Sequence, residues 1–200
     1  MSLTDRITRA PHPVDADRAA EAMATLGEVP ETARDLLTGV AGCAPYLKRL
    51  IEVHADWVRT ALHAEPEATL NATLAEAQEA EDADLGQALR QAKARVALLA
   101  ALCDCGGVWS LPQVTGSLTR LADLAADRAW RREIAVEVAR GRLPETERDA
   151  GGFVALAMGK MGASELNYSS DIDLICLFDE TAFDAADVGT AGGRVIGVAV

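Results

Sequence analysis

Two aspartates one residue apart, Asp171 and Asp173, stand at the head of the apolar run LICLF, downstream of a glycine–lysine pair, Gly159-Lys160, in the string MGKMGASELNYSSDIDL. Carboxylates at positions i and i+2 of a strand share one face, about 6.5–7 Å apart along the chain. Such a pair can lean together over hard cations. Mg²⁺ takes oxygen ligands in an octahedron, usually one or two carboxylates completed by water and substrate phosphates. Two such ions about 3.5–4 Å apart activate the attacking oxygen and stabilise the leaving oxygen of an in-line displacement. Uncovered carboxylates repel one another, so a site that gathers them favours a cation. The other reading is an acidic turn ahead of a buried strand.

The glycine–lysine pair fits neither of two common phosphate loops. A Walker loop needs G-x-x-x-x-G-K followed by Ser or Thr. Here Val154 stands in the first glycine position and Met161 follows the lysine. The dinucleotide fingerprint G-x-G-x-x-G is missing as well. What remains is a glycine where backbone can approach phosphate, with Ser169 and Ser170 as small donors. Lys160 can meet a phosphate as a point charge or pair with Glu165. Glu165 and Asn167 suit turn capping as well as substrate contact, and Tyr168 suits packing against neighbouring helices better than base stacking.

Two apolar runs bounded by turn residues, GGFVALAMG and DLICLFDE, must position this loop. Their length and continuous apolarity predict strands covered on both faces and joined by a short crossover. Within the connection, ASEL is the candidate helical turn. The residues after them, TAFDAADVGTAGGRVIGVAV, read as a loop and a new helix.

Nearly everything before reads as helix. Segments beginning at Asp15, Pro30, Cys43, Ala55 and Glu65 are each helical in pattern, with Pro30 in the first-turn position that proline tolerates. The strongest stripe is Leu85, Leu89, Ala92, Val96, Leu99 and Cys103, stopped by Gly106-Gly107. A second runs through Val114, Leu118, Leu121, Leu124 and Ala125 and ends at Gly141 and Pro144. These stripes predict helix-to-helix core. The fold class expected is therefore α+β: a flexible lead-in over 1–14, an all-helical domain over 15–147, and over 148–200 the first part of an α/β domain.

Composition bounds the function. The net charge is −12, from 31 acidic and 19 basic residues among 200. So acidic a chain has no electrostatic grip on nucleic acid, and a nucleotide would need a local, metal-assisted site. Four cysteines (Cys43, Cys103, Cys105, Cys176) and three scattered histidines show no zinc spacing, and the cysteines read as small buried apolar side chains. Trp57, Trp109 and Trp130 read as core or interface anchors. No apolar run reaches the ~18 residues of a membrane span and the N-terminus lacks a secretion signal, which makes cytoplasm the expected location.

The spacing G-x10-S-D-x-D-L, from Gly159 to Leu174, resembles the DNA-polymerase-beta-like nucleotidyltransferase superfamily. Where that superfamily usually has Gly-Ser, this chain has Gly159-Lys160. The fuller string MGKMGASELNYSSDIDL resembles the family of bifunctional glutamine synthetase adenylyltransferase/adenylyl-removing enzymes. CAPYLKRLIEVHADW and LRQAKARVALLAALCDCGGVWSLPQVTGSLTRLADLA resemble its helical regions, so the likeness covers residues 40–180. The resemblance implies a nucleotidyltransferase (polymerase-beta-like) α/β domain, the first of two in tandem. It implies removal of AMP from a tyrosine of glutamine synthetase by phosphorolysis, releasing ADP, while the second domain adds AMP from ATP. Asp171 and Asp173 would be catalytic Mg²⁺ ligands, with Gly159, Lys160 and Ser170 on the phosphate side of the nucleotide. A PII signalling protein would be a further partner. The superfamily's third carboxylate is expected on a strand beyond residue 200; Asp179, Glu180, Asp184 and Asp187 stand too early for it. The 200 residues alone are expected to be inactive. Two other readings are a nucleotidyltransferase that uridylylates PII, and a helical interaction module without catalysis.

Overall fold

The computed structural model describes residues 1–143 and 149–179. Among them, helices α1 (Leu3–Arg6), α2 (Ala16–Leu26), α3 (Glu31–Cys43), α4 (Pro45–Val53), α5 (Ala55–His63), α6 (Pro66–Gln78), α7 (Leu85–Cys105) and α8 (Leu111–Ala139) precede strand β1 (Phe153–Ala157). A single helical turn, α9 (Gly159–Gly162), and strand β2 (Leu174–Phe178) follow. The expected boundary between residues 147 and 148, the closing helix, and Glu180, Asp184 and Asp187 lie outside the described residues.

Helix ends follow local chemistry. At the start of α8, Pro112 sits in the first turn and the Gln113 side chain accepts the Ser110 N–H at 2.9 Å. Helix α6 stops at Gln78. The residues beyond are EAEDAD, and carboxylates at a helix C-terminus oppose the macrodipole. Arg128 from α8 donates instead to the Ala80 carbonyl at 2.7 Å, closing that end with a cation.

Helix α7 is the centre of the core. Leu85, Ala92, Val96, Leu99 and Cys103 of the expected stripe are buried, but so are Leu98, Ala100, Ala101 and Leu102 on the remaining faces. Its C-terminal half is surrounded, with α6 and α8 flanking it and α3 and α4 also in contact. Of the four cysteines only Cys103 is buried; Cys43 is exposed, and Cys105 and Cys176 are half-buried. The reading of all four as core side chains is corrected accordingly.

Residues 1–14, expected as a flexible lead-in, are laid against the bundle. Leu3 is fully buried, and its N–H donates to the Ala64 carbonyl at 2.8 Å. Thr8 N–H reaches the Gly106 carbonyl at 2.9 Å. Pro11 and Pro13 press onto α3 at Gly39 and Gly42, where a Cβ would collide with them. Two prolines without periodicity hid this, because the partner surface is made by glycines.

The strands also differ from expectation. They pair antiparallel, with Phe153 opposite Phe178 and Ala157 opposite Leu174. No crossover joins them. Nor, among the described residues, are they covered on both faces: Val154, Leu156, Ile175 and Leu177 are exposed, and the inner face meets α8 where Trp130 packs edge-on to Phe153, ring centroids 5.9 Å apart. The described fold is mostly helical with one small two-stranded antiparallel sheet.

Candidate functional site

The segment joining β1 to β2 carries every residue singled out for chemistry. Its first turn is Gly159–Gly162, not ASEL. Two glycines there have separate reasons. Gly159 has φ +56°, a conformation that side chains resist, and Gly162 lies so close to the Ala157 carbonyl that a Cβ would clash with it. Between them Met161 is buried, and the Glu165 N–H closes the turn on the Lys160 carbonyl at 2.8 Å.

The second half is shaped by Asn167. Its Oδ1 accepts from the Ser169 N–H at 3.2 Å and from the Ser170 hydroxyl at 2.8 Å. Asn167 thus acts as a turn cap, the Asx geometry expected of a short amide. Glu165 is exposed, and among the described residues no ion pair joins it to Lys160. Tyr168 lies near the C-terminal end of α7. Burial first, then the Asp104 carboxylate, pushes its hydroxyl well above the ordinary phenol range, although half the residue remains exposed.

Asp171 and Asp173 precede β2 rather than lying on it, so strand alternation is not what relates them. Asp173 is fixed through its backbone: its carbonyl accepts the Met158 N–H at 2.9 Å, which extends the β1–β2 ladder by one pair. One of its carboxylate oxygens stands 4.0 Å from the place a Gly159 Cβ would occupy. The structure therefore brings Gly159 and Asp173 together across the two ends of the connection. Ser170 turns back onto Asn167, while Lys160 and Asp171 are exposed beside them.

The two carboxylates are hard oxygen donors, the type that Mg²⁺ takes. Both are exposed, and among the described residues no group of three or more His, Cys, Asp or Glu side chains gathers. Two carboxylates with the remaining positions left to water and phosphate is how Mg²⁺ is usually held at a phosphoryl site. A cleft of about 290 Å³ lies behind the loop, between α8 and the inner face of β1, with Asp123, Trp130, Phe153, Met161 and Leu174 among its walls. Burial raises the Asp123 carboxyl above its ordinary value.

Sequence reasoning assigned no role to Met161, Leu166 or Thr119. Met161 and Leu166 join the main hydrophobic core together with residues of α7 and α8. Thr119, buried on α8, accepts the Leu166 N–H at 3.4 Å. Met161 and Leu166 are the large aliphatic side chains between Gly159 and Ser170, which was the available signal. Thr119 gave none, because a threonine inside a helix looks the same whatever it faces.

Among the described residues no helix is long and apolar enough to cross a membrane. The family model for glutamate-ammonia ligase adenylyltransferase matches residues 34–192. Similar curated proteins are bifunctional glutamine synthetase adenylyltransferase/adenylyl-removing enzymes. One from a Bradyrhizobium species is 44% identical over 155 residues, covering 73% of this chain and 16% of the relative. Another, from Rhodopseudomonas palustris, is 41% identical over 174 residues, 82% of this chain and 18% of the relative. A third, from Caulobacter vibrioides, is 42% identical over 174 residues, 80% of this chain and 18% of the relative. The chain thus spans under a fifth of the length of the relatives it matches. No solved structure matches it.

Proposed function

The chain belongs to the glutamate-ammonia ligase adenylyltransferase family, and from that premise we propose that its glycine–aspartate loop is part of an adenylyl-removing site acting on adenylylated glutamine synthetase. The reaction is phosphorolysis. An oxygen of hydrogen phosphate bonds to the adenylyl phosphorus, the bond to the tyrosine oxygen breaks, and the proton given up by the phosphate passes through solvent to that oxygen, leaving ADP and an unmodified tyrosine side chain on glutamine synthetase. The approach of the Asp173 carboxylate to Gly159 is the observation that carries this reading, since it sets an acidic ligand beside bare backbone at one point.

Asp171 and Asp173 would hold Mg²⁺, which supplies charge neutralisation for the phosphoryl oxygens of an in-line displacement. Lys160, exposed in the first turn, offers a cation to a phosphate that reaches the loop. Gly159 lets phosphate approach the main chain without a side chain intervening. Ser170 has its hydroxyl proton committed to the Asn167 side chain and its backbone N–H to the Asn167 carbonyl, so toward substrate it presents its hydroxyl oxygen as an acceptor. Glutamine synthetase is the protein partner this reaction requires. ATP-dependent addition of AMP belongs, on this reading, to another part of the same protein, a PII signalling protein is its regulatory partner, and the setting is cytoplasmic. The family match favours this over a PII uridylyltransferase.

The intact protein, incubated with adenylylated glutamine synthetase, Mg²⁺ and phosphate, should form ADP. Asp171→Asn should lower that rate by about two orders of magnitude or more, the scale of removing a transition-state charge stabiliser. Unchanged ADP formation in the variant would reject the assignment.

A further inference from the structure

Resting on that reading, we infer that Thr119 of helix α8 is a positioning residue for the aspartate pair, the point at which the helical bundle grips the loop that carries it. Leu166 is buried, so its N–H cannot turn to water and needs a partner inside the protein. Thr119 Oγ1 is that partner, at 3.4 Å. The hydroxyl's own proton is already committed, donated to the Thr115 carbonyl at 2.9 Å, which leaves the oxygen free to accept. Thr119 is itself buried, and the contact spans two segments far apart in sequence.

What lies downstream of Leu166 explains why this contact bears on chemistry. The next residue, Asn167, ties down Ser169 and Ser170, and Asp171 follows immediately. Upstream, Met161 is buried in the same core cluster as Leu166. The loop is thus held to the bundle at two apolar points, and the Thr119 hydrogen bond fixes the rotation of the backbone at the second. Without it Leu166 can stay buried while its peptide plane turns, and the turn carried by Asn167 would swing with it. A packed apolar side chain sets depth; a hydrogen bond sets orientation.

The test measures Mg²⁺-dependent ADP binding to the intact protein by calorimetry, for the unaltered chain and for Thr119→Val, Thr119→Ser, Thr73→Val and Asp171→Asn. Thr73 is a matched control on α6, equally buried, with its hydroxyl donating to the Thr69 carbonyl at 2.9 Å and no part in the loop. Thr119→Val should weaken ADP binding about five- to tenfold, the scale of one lost hydrogen bond. Thr119→Ser, which keeps the acceptor, should restore it to within about twofold, and Thr73→Val should leave it unchanged. Equal weakening by Thr119→Val and Thr73→Val would overturn the inference, because loosening of the bundle would then suffice. Full-strength binding by Thr119→Val together with loss in Asp171→Asn would overturn it too, while leaving the site standing. Retained binding in Asp171→Asn would remove the site reading and this inference with it.

Discussion

The helical bundle and the β1–β2 hairpin contain similar apolar side chains and bury them very differently. Leu99 on α7 is 1% exposed, whereas Leu177 on β2 is 50% exposed. The bundle closes around α7, so each of its stripes meets another stripe. The hairpin has two apolar faces; among the described residues one faces α8, while Val154, Leu156, Ile175 and Leu177 on the other are exposed. A two-stranded sheet is marginal by itself in water. Its placement therefore depends on what it touches: Trp130 against Phe153, and Met161 and Leu166 sunk into the bundle's core. The residues proposed for chemistry sit on the weakly supported region, positioned by the strongly supported one.

The contrast can be broken most forcefully at its strong end. Leu99→Ala should cost about 2–5 kcal/mol in urea unfolding, the range for opening a cavity in a closed core, while Leu177→Ala should stay within about 1 kcal/mol. Near-equal losses would mean that the two regions are not differently supported. Gly162→Ala comes next. A methyl group facing the Ala157 carbonyl must push the loop away, at about 1–3 kcal/mol, and ADP binding should fall with stability.

The pH dependence of the bundle sharpens the comparison further. Glu67 on α6 accepts from Arg6 at 2.7 Å and from the Trp109 indole at 2.8 Å, joining α1, α6 and the turn before α8. Partial burial works against its charge, and the hydrogen bonds from Arg6 and Trp109 outweigh it, so its carboxyl sits below the ordinary 4.5. A depressed carboxylate stabilises the fold above its unfolded-state value, and that stability is lost as pH falls through the folded value. Thermal unfolding should show this loss below about pH 4.5, and Glu67→Gln should flatten it. The smallest effect expected is a gain. Gly116 lies within α8 with open space where a Cβ would go, so Gly116→Ala should stabilise by about 0.5–1 kcal/mol.

How much of this could be read beforehand depended on the range of the interaction. Helices α2 to α8 were legible because a 3.6-residue period, a proline in the first turn and a terminal glycine are all local signals. The full burial of α7 was not, since Leu98 and Leu102 lie off its stripe and only the surrounding helices explain them. The packed N-terminus was missed for the same reason: Pro11 and Pro13 find their seats at Gly39 and Gly42, far along the chain. In the loop, the spacing of glycine and aspartates stood out in the sequence, and so did both strands. Their antiparallel pairing did not, because a continuous apolar run looks alike in either direction. The grip of Thr119 on Leu166 joins two helically and irregularly patterned segments that share no periodicity.

The pairing of Phe153 with Phe178 has a consequence for the acidic end of the hairpin. Side chains along a strand alternate, so a slip of a single residue would turn every one of them over. Trp130 and Phe178 both contact the ring of Phe153, at 5.9 and 5.7 Å, and hold it as a dowel holds a joint. With that ring seated, the far end of the ladder has only one alignment, and in it the main chain at Met158 meets that of Asp173. Three aromatic rings at one end of the strands thereby choose which way a carboxylate looks at the other.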